Sequence, residues 1–96
     1  MFDDYQLGTM TQQGFDRVKE LVDEGKRCPS RKAAEPIIKR LKFLAGYECK
    51  RCEMKIIEIA DILSEYCKVG ADKDKQGWHL YNAIGTLKGM IAKPME

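Results

Sequence analysis

Residues 34–67 read AEPIIKRLKFLAGYECKRCEMKIIEIADILSEYC, and the phase of this stretch decides the fold. Ala34, Ile38, Leu41, Ala45, Cys49, Cys52, Ile56, Ile59, Leu63 and Cys67 recur at steps of 3 or 4. Steps of that size put side chains on one face of an α-helix. The spacing predicts one long central helix over about 35–68, with Gly46 as its weak point. A glycine inside a helix costs only about 1 kcal/mol against alanine, and the phase 41, 45, 49, 52 passes position 46 without a slip. A continuous or kinked helix is expected. The alternative is a break at Gly46 into an αα-hairpin of 35–45 and 48–68. Pro36 sets the start near residue 35, because a proline in a helix interior costs about 3 kcal/mol.

The flanks supply partners for this element. A first helix over about 12–24 starts at Thr9 or Thr11; with Thr11 as cap, Met10 and Phe15 form a hydrophobic staple. Phe15, Val18, Leu21 and Val22 make its buried stripe, and Gly25 is expected to end it in the left-handed conformation. Residues 1–10 form an N-terminal arm with Phe2, Tyr5 and Leu7 as anchors. Gly70 closes the central helix. Asp74 caps a last helix over about 75–92, where Trp78, Tyr81, Ile84, Leu87 and Ile91 repeat at helical spacing and Pro94 stops the chain. Gly77, Gly85 and Gly89 share one side of that helix. They predict close packing on the central helix, with a homodimer through the Gly77/Gly85/Gly89 face as the second reading. The fold expected is all-α, a single domain forming a small irregular bundle of three or four helices around the central one.

At 96 residues there is room for one domain with a modest core. Apolar residues are 44% and charged residues 33%, ordinary for a globular chain whose apolar positions are periodic. Apolar runs reach only two or three residues, and Asp3 and Asp4 stand where a secretion signal needs positive charge. A cytoplasmic protein with no membrane partner and reduced thiols is expected.

Catalytic groups are sparse. His79 is the only histidine, the carboxylates alternate with bases at helix-surface intervals, and no glycine-rich phosphate loop follows a strand. The chain is expected to be no enzyme and to need no cofactor. Cys49-Lys50-Arg51-Cys52 is a C-x-x-C, but a zinc site wants a second pair or neighbouring histidines, and Cys28, Cys67 and His79 stand singly. A redox dithiol belongs at the start of a helix after a strand, and no strand signal precedes Cys49. Placed mid-helix on the apolar face, Cys49, Cys52 and Cys67 are expected to be buried, reduced and metal-free, with Cys28 the reactive thiol.

Charge is the strongest functional signal. Residues 1–25 carry two bases and six acids, residues 26–55 ten bases and three acids, and residues 56–96 five bases and six acids. Such a local positive field attracts acidic partners. On a helical wheel Lys39, Arg40, Phe43, Tyr47, Lys50, Arg51 and Met54 fall away from the Ile38–Leu41 face, which sets two aromatic rings among bases. The first six are the expected docking residues, with an acidic protein surface as partner. Nucleic acid is the alternative, since rings and bases also stack on nucleotides. The order of helix 12–24, a basic connection and a helix from near Ser30 has the outline of a helix-turn-helix, although that motif needs a 3–4-residue turn and an uninterrupted second helix. A zinc-stabilised module using Cys49/Cys52 is the second alternative.

Overall fold

The structure, a computed structural model, describes residues 10–91. These hold four helices and no strand: α1 Gln12–Lys26, α2 Arg31–Ala45, α3 Lys50–Tyr66 and α4 Lys73–Lys88. The expected arm over residues 1–10 and the stop at Pro94 fall outside the described residues, save Met10. That residue is buried, and its N–H donates to the Met90 carbonyl at 3.0 Å, tying the start of α1 to the end of α4.

Side chains start three of the helices. Thr11 Oγ1 accepts from Gly14 N at 2.9 Å, Ser30 Oγ from Ala33 N at 3.1 Å, and Asp72 Oδ1 from Lys75 N at 3.1 Å. Each bond satisfies one of the amide donors that a helix start leaves unpaired, worth about 1 kcal/mol. Thr11 is therefore the first cap, and Met10 and Phe15 are both buried on either side of it, as a staple requires. Asp72, rather than Asp74, caps α4.

The central element is a hairpin. The continuous reading fails at Gly46, and the αα-hairpin holds. After Ala45 the chain tightens through three successive short turns: Gly46 N to Phe43 O, Tyr47 N to Leu44 O and Glu48 N to Ala45 O, each 3.1 Å. Such i→i+3 bonds use up the last helical carbonyls and stop propagation. Cys49 is extended, with φ −64° and ψ 161°, and opens α3. The two helices then fold back on each other, and their contact is the most extensive in the molecule. All ten seam positions except Cys49 are buried, and Cys49 is half-buried.

α2 also starts earlier than Pro36 allows by itself, at Arg31. The proline stands in the second turn, exposed. Its cost of about 3 kcal/mol is offset by the Ser30 cap and by burial of Ala34, Ile38, Leu41 and Ala45 against α3.

α1 packs Phe15, Val18, Leu21 and Val22 into the core as expected. Gly25 does not cap it. The helix runs on to Lys26, and Gly25 is buried where α1 meets α3. A Cβ there would stand 2.7 Å from Leu63 Cδ2, and the Gly25 carbonyl accepts from Cys67 Sγ at 3.2 Å. The residue is small because another side chain occupies the space. Gly70, at φ +84°, is the one left-handed glycine among the described residues and reverses the chain between α3 and α4.

In α4 the buried phase differs from the expected one. Leu80, Ala83, Leu87 and, just beyond the helix, Met90 are buried, whereas Trp78 and Tyr81 are 60% and 71% exposed. Gly77, Gly85 and Gly89 do not pack closely on a neighbour. A Cβ at Gly85 would meet nothing within 4 Å, one at Gly77 would touch Tyr66 at an ordinary 3.7 Å, and Gly89 ends the helix short of residue 92. No helix among the described residues is long and apolar enough to cross a membrane.

Candidate functional site

The hairpin end redistributes the six candidate residues. Lys39, Arg40 and Phe43 lie on α2 opposite its buried seam, because each sits one or two positions from Ile38 or Leu41 and so points away from it. Tyr47 stands in the connection. Lys50 and Arg51 form the first turn of α3. The six do not share a single straight helix face; they are distributed around the reversal 46–49.

Both rings are in the open. Phe43 is 56% and Tyr47 74% exposed, and the two meet edge to face, 5.2 Å between centroids and 69° between planes. That is a favourable aromatic geometry, worth about 0.5–1.5 kcal/mol when buried. Met54, 61% exposed, adds a further apolar side chain one turn into α3.

The charges nearby are not neutralised. Lys39, Arg40, Lys50 and Arg51 are all exposed and form no ion pair among the described residues. Lys42, on the flank of α2, behaves differently. Its Nζ is 3.3 Å from Asp61 Oδ1 and ties α2 to α3. Glu48 is the one acid in the reversal. It is half-buried, and burial pushes its carboxyl pKa above the ordinary value.

The cysteine pair belongs to the same end. The break makes Cys49 the cap residue of α3 and Cys52 its third residue, so the C-x-x-C opens a helix instead of lying within one. Cys52 is wholly buried, and its Sγ donates to Met90 Sδ at 3.9 Å. Burial, a side-chain interaction with Cys49 and the charges of Cys49 and Glu48 push its thiol up to about 12, against an opposing pull from Arg51. The expectation that Cys49 is buried fails for this reason. A cap residue lies outside the helical seam. Among the described residues no three His, Cys, Asp or Glu side chains gather as metal ligands, which leaves the zinc alternative without a ligand set there. His79 lies exposed on α4.

A second aromatic pair escapes the sequence reading. Trp78 and Tyr81 stack with centroids 6.0 Å apart and planes 18° from parallel. Tyr81 borders a groove of about 590 Å³ between α1 and α4, floored by Phe15, Val22, Leu80 and Ile84 and rimmed by Lys88. The signal that could have found the pair is the competing aliphatic phase at 80, 83, 87 and 90. No protein-family model matches this chain, and no curated protein or solved structure matches it.

Proposed function

We propose that this chain is a small non-enzymatic binding module that docks an acidic protein surface at the hairpin end. Phe43 and Tyr47 supply apolar contact, and Lys39, Arg40, Lys50 and Arg51 steer and orient the partner. The observation that carries this reading is the exposure of two touching rings, 56% and 74%, beside four bases without ion pairs among the described residues. Solvating a loose aromatic pair is unfavourable, and aromatic and arginine side chains dominate interface hot spots.

Nucleic-acid binding is a second reading with its own support. α1 ends at Lys26 and α2 begins at Arg31, which leaves the four residues 27–30 between them. α2 continues through Pro36. The connection length and the uninterrupted second helix are those a helix-turn-helix needs.

Salt separates the two. Affinity would be measured for a glutamate-rich amphipathic peptide and for a mixed-sequence oligonucleotide, each over a range of salt. The proposed reading expects tighter peptide binding with a shallow salt slope. Tighter oligonucleotide binding, falling linearly in log salt with a slope of several units, would replace it with the second.

A further inference from the structure

The break at Gly46 gives the C-x-x-C a setting that its sequence position hides. In a helix start, the side chain of the cap residue reaches the third helical position; a capping serine bonds there for that reason. Cys49 is the cap of α3 and Cys52 the third residue, and the Cys49 side chain makes no cap bond to the backbone. The cap and third-residue positions make the two thiols neighbours, and Cys49 is among the groups that raise the Cys52 thiol. One is reachable and one is not: Cys49 is half-buried, Cys52 fully buried against Met90. The other two thiols are held elsewhere. Cys67 Sγ donates to the Gly25 carbonyl at 3.2 Å, and Cys28 Sγ lies 3.7 Å from the Glu24 carbonyl.

We propose that Cys49 and Cys52 form an oxidisable dithiol that closes to an intramolecular disulfide by exchange with low-molecular-weight disulfides. This goes beyond the docking reading and does not depend on it. Cys49 acts first because it is the accessible member. It loses its proton, and its sulfur attacks one sulfur of the small disulfide. That S–S bond breaks, and the first small thiol leaves with the proton. Cys52 then loses its proton and attacks the Cys49 sulfur of the mixed disulfide, expelling the second small thiol. The two cysteines lose two electrons and two protons, and the small disulfide is reduced to two thiols. Burial raises the Cys52 thiol above its ordinary value, which leaves the first attack to Cys49.

Closure must strain the turn a little. Side chains three apart on a helix have Cβ atoms about 5–6 Å apart, and a disulfide brings them to about 3.8 Å. Cys52 also has to leave Met90 Sδ. Such a bond is of the labile, readily reduced kind.

The test uses the full reduced chain, incubated natively in glutathione buffers of rising oxidised fraction. Samples are quenched in acid, alkylated and mapped by mass spectrometry. The expected product links the Cys49 and Cys52 fragments, with Cys28 and Cys67 alkylated. In Cys52→Ala, checked for its helical signal by circular dichroism, Cys49 should instead retain glutathione. Its level there should be at least about tenfold above that in the unsubstituted chain, because the resolving thiol is gone. A fully reduced pair, glutathione on Cys28 alone, or equal glutathione on Cys49 in both chains would each overturn the proposal. The first arm decides even if the variant does not fold.

Discussion

Two aromatic pairs stand on the surface, and their surroundings differ more than their exposure. Phe43 and Tyr47 meet edge to face at the hairpin end, which also carries four bases without ion pairs among the described residues. Trp78 and Tyr81 stack in parallel on α4, beside a groove and near the open space at Gly85. Both arrangements leave ring faces open: a stacked pair keeps its two outer faces, and in an edge-to-face pair one ring face is met by the other ring's edge. Exposure alone therefore does not mark a docking surface. In the docking reading proposed above, ring and charge contribute different parts of recognition: the ring contributes dwell time and the charge contributes encounter rate.

The largest effects should come from the buried faces of the two helices rather than from the pairs. Leu41→Ala, on the helix of the first, and Leu80→Ala, on the helix of the second, should each cost about 2–5 kcal/mol of stability through the cavity left, since both side chains are essentially fully buried. Denaturant unfolding measures this. Equal, small losses would mean that neither helix packs along the face assigned to it.

Next in size is the effect on a homodimer, the second reading of the Gly77/Gly85/Gly89 face. A homodimer built on the Gly77/Gly85/Gly89 face must cover Trp78 and Tyr81, so Trp78→Ala should raise its dissociation constant at least about tenfold. Sedimentation equilibrium reads it. A dimer unaffected by Trp78→Ala but weakened by Phe43→Ala would exchange the roles of the two pairs.

How far the sequence speaks depends on which residues carry the pattern. The seam is legible because both arms of an antiparallel hairpin turn their apolar faces toward each other, so Ala34 to Leu63 are buried whether or not the helix continues. For the same reason the break is illegible. The step from Ala45 to Cys49 is 4 either way, and Gly46 costs too little in a helix to betray it. The setting of Cys49 and Cys52 is lost with it. In α4 the large rings at 78 and 81 pull the apparent phase away from the aliphatic residues that are buried. Gly25 reads as a cap because sequence does not reveal Leu63 in the space beside it. The seam phase turns Phe43 away from the core, whereas the exposure of Tyr47 comes with its place in the connection, which the phase does not show.

Smaller effects refine the charges of the first pair. Arg40→Glu or Lys50→Glu should slow association with an acidic partner and flatten its salt dependence, as stopped-flow mixing would show. Lys42→Ala loses only a surface ion pair with Asp61 and should stay within about 0.5 kcal/mol of the parent stability.

Glu48 should give the smallest change. Its folded-state pKa is raised by burial. Below the ordinary value of 4.5 both folded and unfolded chains hold the proton, so there is no contribution. As pH rises above it, the unfolded chain releases its proton first, and stability falls until the folded chain has followed. Glu48→Gln should remove that decline, and urea midpoints at about pH 3 and about pH 7, on either side of the carboxylate range, would show it.

The docking claim itself is tested most directly by one titration. The isotopically labelled chain and its Phe43→Ala and Trp78→Ala variants would be titrated with the glutamate-rich amphipathic peptide and followed by NMR. The account predicts shifts confined to residues 39–51. It also predicts a loss of about 2 kcal/mol or more in affinity for Phe43→Ala, an unfolding midpoint close to the parent's, and unchanged binding for Trp78→Ala. Shifts centred on Trp78 and Tyr81, or full affinity in Phe43→Ala, would contradict it.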